Sequence, residues 1–295
     1  MIVHTHAEAQ KPARVVLVGA SGFIGQALRI RLQKDSVEVL ALGSKELDLT
    51  AAGAEDRLAA ALKPTDAVVM LSAVTPDKGR DNAALMKNLA MMQHLCAALQ
   101  KSGCAHLVYF SSDAVYALGG AARVTEETPA APQDLYGAMH LTRELMARAV
   151  SKAPVLVLRP TLVYGPDDTH NAYGPNRFRR AAQKEGKIQL FGGGEETRDH
   201  VHVDDVASLT ARCLMHRSTG TLNLATGRSV SFHDVAALVG KQFARRIEIA
   251  KTPRANPITH RHYDVTNLIK AFPAYRFIAL EDGVARCHKE AVGVC

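Results

Sequence analysis

From residue 14 to residue 158 the chain alternates short apolar, β-branched runs with segments of helical period, and few folds accept that order. The runs are 14–20, 37–42, 67–71, 106–111 and 155–158. Between them, 22–34, 51–62, 82–100 and 134–150 repeat apolar residues at helical intervals. A strand that is apolar throughout needs cover on both faces, and parallel neighbours need a crossover between them. The pattern therefore predicts an α/β fold, a doubly wound parallel sheet of Rossmann type with helices on both faces. After Arg159-Pro160 the texture changes. Gly165-Pro166, Gly174-Pro175 and Gly192-Gly193-Gly194 mark loops. A weaker alternation returns as helix 204–216, strand 221–225, helix 231–242 and strand 246–249. It predicts a smaller C-terminal α/β region that shares elements with the first.

The first strand runs into Gly19-Ala-Ser-Gly22-Phe-Ile-Gly25, and the first helix follows. In such a turn the first glycine allows the tight bend, the second lets backbone approach a pyrophosphate, and the third lets the helix pack on the strand. The helix N-terminus then offers free N–H groups and a positive dipole end to an anion. This strand-turn-helix context points to dinucleotide binding. The expected division is residues 1–165 with about 200–228 for the dinucleotide, and about 166–199 with 229–295 for a substrate.

Composition narrows the partners. With 295 residues, 47% hydrophobic and 22% charged, the chain is an ordinary globular one, neither disordered nor collagenous. No apolar run is long enough to span a bilayer. The first twelve residues lack the apolar stretch of a secretory signal and read as a frayed lead-in. The net charge of +7 gathers in two basic clusters, Arg177 to Lys187 and Lys241 to Arg261, read mostly as solvated faces. Aromatic residues make up only 5% and Trp is absent, so no base-stacking platform is expected and nucleic acid is not the expected partner. Five cysteines without a C-x-x-C motif fit a reducing cytoplasm rather than a disulfide frame or a zinc site. Cys96 and Cys104 read as packed or half-exposed thiols, and Cys295 as an inert terminal one. His200 and His202 alternate on an expected strand without a third ligand, so a structural role is expected and no metal.

Further segments carry a family resemblance. They are Phe110-Ser-Ser-Asp-Ala-Val-Tyr116, Tyr136-Gly-Ala-Met-His140, Leu158-Arg-Pro-Thr-Leu-Val-Tyr-Gly-Pro166 and Arg198-Asp-His-Val-His-Val-Asp-Asp205. With the glycine turn, they resemble the extended short-chain dehydrogenase/reductases, in the branch of nucleotide-sugar epimerases, dehydratases and reductases. Glu46-Leu-Asp-Leu-Thr50 is similar to the 4-keto-sugar reductases in particular. The resemblance implies hydride transfer at a sugar carbon of a nucleotide-diphosphate sugar, by an epimerase or a 4-keto reductase, and a homodimer through helices such as 82–100 and 134–150. It places Gly19, Ser21, Gly22, Phe23, Ile24 and Gly25 on the cofactor, with Asp48 and Leu49 by its adenine. Asn176, Arg177 and Arg198 fall where the family contacts the substrate diphosphate, and guanidinium groups suit phosphate oxygens.

NAD-specific domains usually carry an acid at the end of the second strand. Here Ser44 and Lys45 stand there and could meet a 2′-phosphate, which favours NADP over NAD. By resemblance Tyr136 is the acid/base and Ser112 orients the substrate oxygen. The usual lysine, four residues after the tyrosine, is replaced by His140. A neutral imidazole can bind a ribose hydroxyl but does little to acidify a phenol. Three readings stay open: a carboxylate holds His140 protonated, the chemistry needs less phenolate, or the site is inactive, leaving a cofactor-binding sensor or assembly protein. Asp113 could bind a sugar hydroxyl or assist proton transfer. Ala114 beside it disfavours the usual 4,6-dehydratase.

Overall fold

The computed structural model describes residues 2–119 and 122–293; Cys295 lies outside the described residues. Six parallel strands form the main sheet: β2 (Val15–Val18), β3 (Val39–Leu42), β4 (Ala67–Met70), β5 (His106–Phe110), β6 (Val155–Pro160) and β10 (Ser218–Leu224). A two-residue strand, β1 (Val3–His4), closes one edge antiparallel to β10, so the order is β1-β10-β6-β5-β4-β2-β3. The doubly wound parallel sheet expected from the alternation is thus present.

Residues on β2 alternate between two cores. Val15 and Leu17 pack with Leu28 and Leu32 of α1 (Phe23–Lys34) and with Val206 and Leu209 of α6 (Val203–Met215). Val16 and Val18 pack with Leu58 of α2 (Ala54–Ala61), Met92 and Leu95 of α3 (Asn82–Ser102) and Ala147 of α4 (Leu135–Val150). The sheet is therefore covered on both faces. Its order turns at β2, which has β3 on one side and β4 on the other, and open α/β sheets bind ligands at the strand ends beside such a switch.

Among the described residues, the expected frayed lead-in is tied down at His4, His6 and Gln10. His4 Nδ1 lies 2.7 Å from Ser218 Oγ, and its ring stacks on His216 with centroids 4.6 Å apart. A two-residue edge strand has no period to read, and its partner lies at the other end of the main sheet's sequence.

The second half holds two small sheets. β7 (Leu162–Tyr164) and β11 (Ser229–Ser231) flank β9 (Thr197–His202), while β8 (Lys187–Phe191) pairs with β12 (Glu248–Thr252). β12 starts two residues later than the expected strand because parallel pairing aligns Glu248 with Lys187. The loop texture after residue 165 hides α5 (Pro175–Glu185), which has Pro at its first turn and Gly186 at its end with φ +67°. Phe178 and Ala182 of α5 pack with Phe232 and Val235 of α7 (Phe232–Gly240) and with Val284 of α9 (Leu280–Ala291). Arg179 of α5 is buried rather than solvated. Leu268 of α8 (Thr266–Ala271) returns to the first core, beside α6.

Candidate active site

The switch in strand order carries the glycine turn. Gly19 has φ +101°, and a Cβ there would lie 2.7 Å from the backbone N of Ser72. At Gly25 a Cβ would lie 2.5 Å from Gly19 O, so α1 sits directly on the turn. Gly22 differs: its Cβ would meet only Gly19 O, at 3.4 Å. No protein atom requires glycine at 22. It is the N-cap of α1 and provides no side-chain cap, so no side chain takes up the first-turn N–H groups. That cradle fits a diphosphate.

Other residues of this region meet the protein itself. The Phe23 side chain is buried against Gly165, and Ile24 packs on the first core. Phe23 offers only backbone to a ligand, while Ile24 is half-buried. Leu49 is buried in the second core, and the Asp48 carboxylate accepts from Thr50 N at 2.8 Å and Thr50 Oγ1 at 2.7 Å. Ser21, Ser44 and Lys45 are exposed around the mouth. Glu46 Oε2 accepts from Gly43 N at 2.9 Å.

β5 ends at a 3₁₀ turn, Asp113–Val115, capped by Ser112, whose Oγ accepts from Ala114 N at 3.2 Å. Asp134 caps α4, accepting from Gly137 N at 2.8 Å. A Cβ on Gly137 would lie 2.2 Å from Ala114 O, so the first turn of α4 presses on the 3₁₀ turn. This contact brings the half-buried Tyr136 beside Ser112. Burial, then the Asp113 charge, pushes the Tyr136 phenol up to about 12, while Ser112 and Arg143 pull it down.

One turn on, His140 is buried with its ring edge-on to Tyr136, centroids 4.6 Å apart. Its Nδ1 lies 2.8 Å from the Tyr109 hydroxyl, and its Nε2 has no partner. Burial raises the Tyr109 pKa, so this phenol keeps its proton and is able to donate it to Nδ1, which would leave the imidazole proton on Nε2. Burial, helped by the Arg143 charge, pushes His140 well below its ordinary value. Among the described residues no carboxylate pairs with it. Both influences favour the neutral imidazole over the imidazolium.

Asp113 lies beside Ser112, but its carboxylate is engaged within the chain. Oδ2 accepts from Tyr263 Oη at 2.7 Å and from Arg261 Nη1 at 3.1 Å. Arg261 also donates to the carbonyls of Asp113 and Tyr116, both at 2.9 Å, so it is a buried bolt rather than a solvated charge. Arg198 stands near this group and donates to Thr259 O at 2.7 Å and Thr259 Oγ1 at 2.8 Å. Its pKa is lowered by burial and by Arg261. Asn176 and Arg177 begin α5. Asn176 is buried and donates to Gly165 O at 2.7 Å and Asp168 Oδ2 at 3.0 Å. Arg177 is exposed, with its guanidinium 5.7 Å from the Tyr173 ring centre. His202 Nδ1 caps α6 through Asp204 N at 3.2 Å, and buried His200 lies edge-on to Phe232.

The structure thus unites Ser112, Asp113, Tyr136 and His140, and adds residues that the sequence reading missed. Gly137 sits inside a quoted motif, so its clash was within reach. Tyr109 looked like one more apolar strand residue, and Arg143, Arg261 and Tyr263 carry no local signal.

Known structures share the whole architecture. RMD from Pseudomonas aeruginosa, solved with NADPH, superposes with a TM-score of 0.84 at 22% identity, covering 95% of this chain and 99% of that one. MoeE5, solved with UDP-glucose and NAD, gives 0.79 at 26% identity, covering 94% and 97%. The UDP-glucose 4-epimerase of Thermus thermophilus, solved with NAD, gives 0.82 at 19% identity, covering 96% and 100%. A family model, that of the NAD dependent epimerase/dehydratase family, matches residues 15–225. With the sheet order, glycine turn and Tyr136 site described above, this match makes the chain a member of the NAD dependent epimerase/dehydratase family.

Proposed function

We propose that the chain is an NAD(P)-dependent enzyme that transfers hydride to or from a sugar carbon of a nucleotide-diphosphate sugar, as an epimerase or a 4-keto reductase. One observation carries the reading. The buried, unpartnered Nε2 of His140 stands beside Tyr136, on the helix packed against the sheet that carries the open cradle of Gly22. A ring nitrogen so placed suits a ribose hydroxyl of a dinucleotide seated in that cradle, as the donor that protonated Tyr109 favours.

When bound, the nicotinamide supplies or accepts the hydride. The chain's own residues do the rest. Ser112 Oγ donates to the substrate oxygen and aligns it. Tyr136 gives its phenolic proton to that oxygen in reduction and takes it back in oxidation. A phenol held near 12 is protonated at neutral pH, which suits the reductive direction. Arg198, with Arg177 and Asn176, is the proposed diphosphate contact. We place NADP ahead of NAD because Ser44 and Lys45 are exposed and unengaged after β3. Residues 1–165 with about 200–228 are the proposed dinucleotide-binding part, with 166–199 and 229–295 contributing the substrate side. Met86 on α3 and Leu145 on α4 are 62% and 61% exposed, which supports the homodimer through those helices. Among the described residues no helix is long and apolar enough to cross a membrane. The cytoplasm is proposed from the thiols, four of which are free among the described residues.

The rival reading, a cofactor-binding protein without turnover, draws on the neutrality of His140. Denaturing the purified protein and identifying any released dinucleotide begins the test. Retained NAD supports an epimerase cycle, and an empty site that accepts NADPH supports a reductase. Normal NADPH binding with no hydride transfer to any nucleotide sugar, and transfer gained by His140→Lys, supports the rival. A chain that binds neither dinucleotide overturns both.

A further inference from the structure

Arg143 is the largest side chain fully withdrawn from solvent, at 0% exposure. Nη2 donates to Ser72 O at 2.9 Å, and Nη1 reaches Asn88 Oδ1 at 3.4 Å and Met139 Sδ at 3.8 Å. Nε finds no acceptor. Among the described residues no carboxylate pairs with it. The next residue, Glu144, is committed to Arg159 through Oε2 at 2.6 Å and to Ser111 through Oε1 at 2.5 Å. A buried cation without a counter-charge is costly, and the cost falls when a negative charge forms nearby.

The position of Arg143 says where that charge forms. Tyr136, His140 and Arg143 stand at i, i+4 and i+7 of α4 and so share one face. The guanidinium lies 5.3 Å from the Tyr109 ring centre, Tyr109 bonds His140, and His140 abuts Tyr136. Around the guanidinium are Tyr109 of β5, Asn88 and Cys96 of α3 and Ser72 after β4. Around the Tyr136 phenol are Ser112, Asp113, Asp134 and His140. The two carboxylates oppose phenolate, and the imidazole is neutral. Arg143 is the cation whose charge favours phenolate there.

We infer that Arg143 is a positioning residue of the active site: its buried guanidinium, and not His140, holds the positive charge against which Tyr136 loses and regains its proton. The lysine's two tasks are thereby divided. His140 keeps the hydrogen bond and Arg143 keeps the charge. The inference rests on the reading of Tyr136 as the acid/base.

The test is direct titration of the phenol. With [13Cζ]tyrosine in all seven positions, the Tyr136 resonance is assigned by its loss in Tyr136→Phe and followed from about pH 7 to 11, with and without NADP+. Wild type without NADP+, its phenol held near 12, is expected to titrate above that window, and the positive nicotinamide ring of bound NADP+ is expected to bring it inside. With NADP+ bound, Arg143→Gln is expected to lower the acid constant by about tenfold or more. Arg143→Lys, which keeps the charge, is expected to titrate like wild type. If Arg143→Gln does not fold, Arg143→Met, which removes the cation without leaving a polar stem, takes its place. Equal midpoints in wild type and Arg143→Gln, a wild type that does not titrate with NADP+ bound, or a lysine variant displaced as far as the glutamine one each overturn the inference. Normal NADP+ binding with an unmoved Tyr136 sinks the role of Arg143 alone. Failure of wild type to bind dinucleotide sinks the cofactor reading, whatever the phenol does.

Discussion

The Tyr109 hydroxyl stands 2.8 Å from Nδ1 of His140, so one buried phenol anchors one buried imidazole and, donating to it, would set its tautomer. β5 supplies the phenol and α4 the imidazole, and the bond joins the sheet to the helix that carries Tyr136. Tyr109→Phe removes the donor and leaves Nδ1 buried and unsatisfied. We expect a loss of about 1–3 kcal/mol in stability by urea unfolding. We also expect weaker NADPH binding by fluorescence titration, because the Nε2–H tautomer is no longer enforced. The 15N shifts of His140 report that tautomer directly. A Tyr109→Phe variant that retains Nε2–H and full stability contradicts this account.

Gly22 and Gly25 separate binding from folding. A Cβ at 25 strikes Gly19 O at 2.5 Å, whereas one at 22 meets nothing closer than 3.4 Å. Gly25→Ala is expected to cost about 1–3 kcal/mol through overpacking of α1 on the turn. Gly22→Ala is expected to keep its melting temperature and lose dinucleotide affinity, since the methyl fills the space that a pyrophosphate takes. Measuring melting temperature and NADPH affinity for both variants checks the pair. Equal affinity in Gly22→Ala and wild type removes the cradle.

The glycine turn was legible because a strand, a fixed glycine spacing and a helix start adjoin in sequence. Ser112, Tyr136 and His140 were legible from motifs within short segments. What escaped has a different cause. Asp113 is bound by Arg261 and Tyr263, and a pairing across 148 and 150 residues leaves no period in either segment. Arg143 reads as a helix surface charge until the sheet closes over it. α5 reads as loop because its arginines and flanking glycines outweigh a face made of Phe178 and Ala182. Local periodicity reports which face is apolar; it does not report which polar side chain the tertiary fold will enclose.

Glu144 and Arg159 form the charged pair behind the site. Arg159 donates to Glu144 through Nε at 2.9 Å and Nη2 at 2.6 Å, and to Tyr116 Oη at 2.8 Å. Removing one partner strands the other. Glu144→Gln is expected to cost about 3–5 kcal/mol by chemical denaturation. Replacing both by methionine is expected to recover much of that loss. A single variant as stable as wild type would show that solvent reaches Arg159.

Stability is expected to rise with pH between about 4 and 6.5. Burial pushes His106 and His200 down to about 4, so each is neutral in the folded chain where its unfolded counterpart takes a proton. The unfolded state therefore binds more protons across that window, and falling pH favours unfolding. His140 acts in the same direction. Asp199 opposes them. Burial raises it to about 6, so the folded state holds a proton that the unfolded carboxylate has released, and its contribution falls as pH rises toward 6. His202 and His288 are lowered as well, and Asp205 is raised, so five imidazoles against two carboxyls leave a net gain with rising pH. His106 Nε2 lies 2.7 Å from Ser218 O, and glutamine can keep that contact without titrating. Urea midpoints for wild type should therefore climb from about pH 4.5 to 7, and those for His106→Gln should climb less. A flat wild-type profile would mean that these rings are not held neutral, and the neutrality of His140 would lose its closest comparison.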